Sequence, residues 1–197
     1  MTIREVIELA KITTLGSYAL KDDDNVVLQL LNFSLSQVYS RVPALTQMQH
    51  IHLVADKTRY EYLDSAYKPL SVVTSCERVL SVNDDTDVLS VFDMGNHILD
   101  IPMCIQKITN DVVLLLQVKP PKVDCTNVDT INFTPDDALV PSILSYMAYM
   151  VSKNISEANG VGFLNEFMQQ IDEVKTLGLY TVYNNSMRSP FKLNGWV

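Results

Sequence analysis

The sequence predicts an α+β fold: a helical core built from N- and C-terminal helix pairs, a central antiparallel β insertion, and an extended C-terminal arm. Three observations predict it. Apolar residues recur at helical spacing at the start of the chain and again after residue 133, they alternate with period two in between, and both periods vanish after Gly178. The expected boundaries are 1–45 and 122–178 for the helical core, 46–121 for the β insertion and 179–197 for the arm.

The first helix begins at a capping box. Thr2 caps it, Glu5 reaches back three residues later, and Ile3, Val6, Ile7 and Ala10 share one side until Thr13–Gly16 ends the run. The acidic run Lys21-Asp22-Asp23-Asp24 offers cap candidates and favourable charge for a second helix over 25–41. Val27, Leu31, Ser34, Val38 and Val42 line its apolar face before Pro43 stops it.

From Gln47 the period becomes two. Gln49, Ile51, Leu53 and Ala55 alternate with Met48, His50, His52 and Val54, and Ala55-Asp56-Lys57-Thr58 turns the chain into a strand over Arg59–Leu63. Pro69–Val82, Val88–Phe92, His97–Ile101 and Val112–Val118 are the further predicted strands, and no helical spacing is expected before residue 133. Pro120-Pro121 closes the sheet region, and Lys122–Asn132 links it back to the helices.

Thr134 as N-cap, Pro135 at the first helical position and Asp136-Asp137 in the first turn predict the next helix start, with Pro141 dividing a short opening turn from the main helix. Pro141–Lys153 is apolar on both flanks, so it asks for neighbours on two sides, and Ile143, Leu144, Tyr146, Met147 and Met150 are its candidate subunit-packing residues. After a connection at Asn159-Gly160-Val161-Gly162, Phe163, Phe167, Ile171 and Val174 form the stripe of a last helix ending near Gly178.

Composition bounds the function. A chain of 197 residues with 47% hydrophobic and 19% charged residues supports a folded core that hides roughly 70% of its unfolded surface. Fifteen basic against 23 acidic residues give a formal charge of −8, which opposes gripping a nucleic-acid backbone but permits surrounding DNA without holding it. Cys76, Cys104 and Cys125 form no CxxC pair and follow no secretory signal, which fits an intracellular, reducing compartment. Ala138–Val151, the longest membrane-like stretch, is 14 residues and contains Pro141, Ser142 and Ser145, so no membrane span is expected.

No catalytic residue, metal or cofactor is expected. His50 and His52 share one strand face, the geometry of two metal ligands, but no third ligand is placed beside them. Asp22-Asp23-Asp24 and Asp84-Asp85-Thr86-Asp87 lack the alternation, central Gly and distal Glu of a calcium loop, and read as a helix cap and a solvated turn. Gly160-Val161-Gly162 has neither a third Gly nor a following Gly-Lys-Ser/Thr, and there is no G-x-S-x-G or H-E-x-x-H. The final segment, in contrast, concentrates Tyr183, Met187, Arg188, Phe191, Lys192 and Trp196 without any regular period, the composition of interface anchors on a partner-binding arm.

Read in order, these segments resemble the head-to-tail adaptor (connector) proteins of tailed bacteriophages, the tail tubular protein A-like group. Val26–Arg41 resembles the second opening helix. Tyr60-Glu61-Tyr62-Leu63 with Tyr67-Lys68-Pro69-Leu70-Ser71-Val72-Val73 is similar to the passage leading into a family strand, with Leu63-Asp64 where Leu-Pro is usual. Val113–Pro121, Thr134–Leu139, Tyr146-Met147-Ala148-Tyr149 and Phe163-Leu164-Asn165-Glu166-Phe167 resemble the final strand and the two closing helices. The resemblance covers nearly the whole chain.

It implies a homo-oligomer, a twelve-subunit ring under the portal protein in the virion neck, made in the host cytoplasm, with a central channel for genomic DNA that passes without specific binding. It also implies a tail or nozzle protein below and a C-terminal arm reaching between portal subunits. Twelve copies would carry 12 × −8 = −96 formal charges, so an acidic lumen would repel phosphate. Two other readings stay open on the residues: a monomeric ligand-binding module or small enzyme whose β region uses His50, His52 and the acidic loops, and another neck ring such as a stopper or tail-completion protein.

Overall fold

A computed structural model describes residues 1–16, 23–153 and 155–180. In chain order the elements are α1 (Ile3–Thr13), α2 (Asp24–Arg41), β1 (Thr46–His52), β2 (Arg59–Glu61), β3 (Ala66–Thr74), β4 (Val79–Leu80), β5 (Phe92–Asp93), β6 (Ile98–Asp100), α3 (Met103–Gln106) and β7 (Asp111–Val118). A 3₁₀ turn at Asp137–Leu139 leads into α4 (Val140–Ser152), and α5 (Glu157–Thr176) follows. The fold is α+β with antiparallel sheets. Among the described residues it divides into a helical unit, Met1–Ala44 with Pro120–Tyr180, and a β unit, Leu45–Lys119.

In the helical unit the capping box forms as the sequence requires: the Glu5 N–H donates to Thr2 Oγ1 at 3.3 Å and the Thr2 N–H donates to Glu5 Oε2 at 2.7 Å. Ile3, Val6 and Ala10 are buried. Asp23 caps α2 by accepting from the Asn25 and Val26 N–H groups, and the predicted face of Val27, Leu31, Ser34, Val38 and Val42 is wholly buried. Lys11 in the last turn of α1 pairs with Asp24 in the first turn of α2, which holds the Asp24 carboxyl below the usual carboxylate range.

Two helix starts differ from expectation. Asp136, not Thr134, caps the 3₁₀ turn, accepting from the Ala138 N–H at 3.0 Å, and Pro141 sits in the first turn of α4. A proline tolerates that first turn, where its missing N–H has no partner to lose, so Pro141 sets the start of α4 and Pro135 stays outside. Gly160 and Gly162 belong to α5 and not to a loop before it. The backbone at Gly160 lies so close to the end of α4 that a Cβ there would sit 3.0 Å from Lys153 Cα.

The two-sided apolar character of α4 is satisfied by α2 and α5 of the same chain. Ile143, Tyr146 and Met147 are buried there, with Phe167 of α5 edge-on to Tyr146 at 4.8 Å, so of the five candidate subunit-packing residues only Leu144 and Met150 keep partly exposed surface. The segment 122–132 is fastened to this core. The Asn32 side chain donates to Val123 O at 2.7 Å and accepts from the Val123 N–H at 2.8 Å, and Arg4 pairs with Asp129.

The β unit has two sheets, β1-β7-β3-β4 and β2-β6-β5, all strand pairs antiparallel. Ile51, Val72, Leu80, Val112, Leu114 and Leu116 from the first sheet share one core with Tyr60 and Leu99 from the second and with Ile105 of α3. The predicted strand over Pro69–Val82 is a hairpin: Thr74 and Arg78 close a turn in which Glu77 adopts φ 61°. Val88–Phe92 contributes only Phe92 to a strand, with Val91 in an isolated bridge to Val82, because Asp84 and Asp87 accept from the N–H groups of Thr86 and Leu89 and fold the preceding residues into turns that leave Val88 exposed. Helical spacing returns earlier than expected, in the single turn α3 that begins after Pro102.

Two predictions follow from this packing. Asn32→Ala strands both backbone groups of buried Val123 and lowers stability by about 1–3 kcal/mol in urea unfolding, whereas a substitution at exposed Gln29 changes little. Burial pushes the Tyr39 phenol up to about 12, and burial together with Asp93, which accepts from Tyr62 Oη at 3.1 Å, pushes Tyr62 up to about 12. Because both folded values lie above the unfolded value near 10, their contribution is fully present below about pH 10 and is lost as the pH rises through 12. Ultraviolet titration of the folded chain should show these phenols ionising late, and Tyr39→Phe and Tyr62→Phe should each remove one late-titrating group.

Candidate functional site

The strongest candidates for chemistry in the sequence lie on the outer face of the larger sheet. His50 and His52 are opposite Val113 and Asp111 on β7, and His52 Nδ1 is 2.8 Å from Asp111 Oδ1. Asp111 also lies beside Ser75, just past the end of β3, whose N–H donates to Asp111 O at 3.3 Å. The three residues therefore stand in the order serine, aspartate, histidine across neighbouring strands. Adjacent strands are about 4.8 Å apart, so the imidazole is about 10 Å from the serine with the carboxylate between them, the wrong order for a base to activate a nucleophile. Ser75 Oγ is instead bonded to Thr109 Oγ1 at 2.6 Å.

Among the described residues no three His, Cys, Asp or Glu side chains converge as a metal site. The acidic loops are internally satisfied: Asp84 accepts from Thr86, Asp87 accepts from Leu89 N–H and from Ser81 Oγ at 2.8 Å, and Asp124 accepts from Thr126 and Asn127. These bonds hold Asp84 and Asp124 below the ordinary carboxylate range. The carboxylates are used to build turns.

Surfaces suited to binding are better developed. On the outer face of the larger sheet, Val79, Val73 and Val113 run in one row across β4, β3 and β7, and Leu115 and exposed Met48 lie side by side in the next. Among the described residues no strand pairs with the outer edge of β1. Leu53 N–H donates to Asn110 O and Leu45 O accepts from Val118 N–H, so odd-numbered backbone groups face β7 while those of Thr46, Met48, His50 and His52 face away. β1 carries no Asp, Glu, Lys or Arg, no proline and no bulge, the usual protections of an edge.

The helical unit carries an aromatic cluster. Phe33, nearly half exposed at 46%, stacks on Tyr146 at 6.1 Å; Tyr146 meets Tyr149 at 5.4 Å and Phe167 at 4.8 Å. The Arg41 guanidinium lies 5.3 Å over buried Phe167 and Lys153 Nζ lies 5.6 Å over Tyr149, so two of the three rings around Tyr146 carry a cation and Phe33 does not. Sequence reasoning placed only Tyr146 in a binding role. The available signal was Phe33, an aromatic residue off the buried stripe of α2.

Tyr183, Met187, Arg188, Phe191, Lys192 and Trp196, the predicted arm residues, lie outside the described residues, as does Asp22. No helix among the described residues is long and apolar enough to cross a membrane. In comparisons with protein-family profiles and with curated proteins, nothing matches this chain.

If the histidine pair is surface structure and not a ligand set, replacing His50 and His52 together by Ala changes unfolding free energy by less than about 1 kcal/mol. Added zinc shifts neither the parent nor the variant midpoint; a zinc-dependent rise in the parent alone would reverse this assignment.

Proposed function

We propose that this chain is a non-catalytic structural protein of a bacteriophage neck, an adaptor that assembles as a ring, taken as twelve copies, between the portal protein and the tail or nozzle protein and forms part of the genome conduit. The observation that carries the reading is the order of the fold. Two helices, an antiparallel β unit and two closing helices follow one another, and the segments that resemble the adaptor family lie within regular elements of this chain: Val26–Arg41 on α2, Val113–Val118 on β7, Tyr146–Tyr149 on α4 and Phe163–Phe167 on α5.

The surfaces support the same reading. The described carboxylates that might have formed a catalytic or metal site are taken up in caps and turns, while both units expose apolar surface of the kind that other polypeptides cover. An acidic ring would let DNA pass without adhering, and the arm of Tyr183, Met187, Arg188, Phe191, Lys192 and Trp196 would anchor it to the portal, each good anchor contributing roughly 2 kcal/mol or more.

The test is co-assembly with the portal. The full chain should co-sediment with portal rings and appear beneath them in electron micrographs. A chain truncated before Met187 should keep its circular-dichroism spectrum and unfolding midpoint but lose docking. Unchanged docking by the truncated chain removes the arm assignment, and a full chain that never joins the portal removes the adaptor reading itself.

A further inference from the structure

The two sheets of the β unit end in four edge strands, and three of them are guarded. β4 and β5 are two residues long, and β2 has three residues, of which Arg59 and Glu61 are charged. β1 is seven residues long and carries no Asp, Glu, Lys or Arg. Its odd-numbered backbone groups are spent on β7, so those of Thr46, Met48, His50 and His52 point outward, and among the described residues no strand pairs with them. The Gln49 side chain meets Glu61 O and the Leu63 N–H, but it takes up none of these outward groups.

The outward groups of β1 match themselves. Set antiparallel to a second β1 about a two-fold axis at Gln49, Thr46 stands opposite His52 and Met48 opposite His50, so each outward N–H and C=O faces another outward group. The side chains agree with that register. On the outer face Met48, 69% exposed, adjoins Leu115, while His50 adjoins Val113, which is followed by Val73 and Val79. In the pair, Leu115 and Met48 of one copy run on into His50, Val113, Val73 and Val79 of the other, and the imidazole covers the exposed methionine.

We infer that β1 is a self-pairing edge through which two copies of this chain join their larger sheets into one, β1 against β1. The occupant is a second copy because the strand supplies its own complement: the register leaves no outward group of Thr46–His52 unmatched, and with no Asp, Glu, Lys or Arg in β1 no fixed charges of like sign meet. A two-fold contact consumes the edge in one pairing and does not propagate around a ring, so it belongs to the free chain. The inference goes beyond the adaptor reading and does not rest on it.

The experiment is sedimentation velocity of the full chain over a concentration series, with amide hydrogen exchange followed by NMR at both ends of the series. The parent should dimerise. The Met48 and His50 amides should exchange about 10-fold or more slowly in the dimer, whereas those of Gln49 and Ile51, bonded to β7 in either state, should not change. Met48→Pro removes an outward N–H from each copy and no bond to β7, and Met48→Lys places a charge on the edge beside its symmetry mate. Each should keep the parent's circular dichroism and weaken dimerisation by about 10-fold or more, and the lysine variant decides the matter if the proline variant does not fold. The chain truncated before Met187 should dimerise like the parent.

A parent that is monomeric at every concentration, dimerisation that neither Met48 variant weakens, or unchanged exchange at Met48 and His50 overturns the inference. Loss of dimerisation on truncation would make the arm the occupant of the edge and overturn it as well. Portal docking reads the adaptor assignment alone, so the two can fail separately.

Discussion

Antiparallel pairing of β7 with β1 on one side and β3 on the other is the constraint on which the architecture depends. It brings the first and last residues of the β unit together: Val118 N–H donates to Leu45 O at 3.0 Å, and the next residue, Lys119, donates to Ser65 O at 2.7 Å. A chain that leaves the helices at Ala44 and returns at Pro120 can therefore resume the same helical core. Closure entropy grows only logarithmically with the length of an excursion, so a long insertion is tolerated once its own pairing holds its ends together.

The helical core then has to be closed across that gap in sequence. Asn32 does this at the backbone of Val123, Arg4 does it at Asp129, and α4 does it by lying between α2 and α5. The neutral clamp at Asn32 matters more than the ion pair, because Val123 is buried and its N–H and C=O have no water to fall back on, whereas Arg4 and Asp129 are more than half exposed. Apolar burial supplies the bulk of the stabilisation, and such polar contacts select which segments share it.

An acidic protein must place its carboxylates somewhere, and here the placement is architectural. Asp23 and Asp136 cap helical turns, Asp84, Asp87 and Asp124 fold loops onto their own N–H groups, and Asp24 and Asp129 pair with cations from α1. A carboxylate already accepting such bonds is poorly suited to hold a metal or move a proton. Among the described residues, what is not taken up in caps, turns or ion pairs is of another kind: cations over aromatic rings, the carboxylates of α5, the outer edge of β1 and an apolar sheet face. Those are materials for recognition between polypeptides.

Local sequence determined wherever one periodicity was long and one cap chemically unambiguous. The Thr2–Glu5 box, the five-residue face of α2, the Phe167–Ile171–Val174 stripe and the run Val112–Val118 were all legible, because a helix or strand that buries one face must repeat its apolar residues at its own period. The hairpin at Thr74–Arg78 was not, since Glu77 supplies the positive φ with no Gly or Pro to mark it, and α3 is too short to show any period. Only tertiary structure decided what covered α4. Two apolar flanks look the same in sequence whether their neighbours come from the same chain or another, and packing α2 and α5 against them settled the matter while leaving Phe33, Arg41, Tyr149 and Lys153, far apart in sequence, in one cluster with Tyr146 and Phe167.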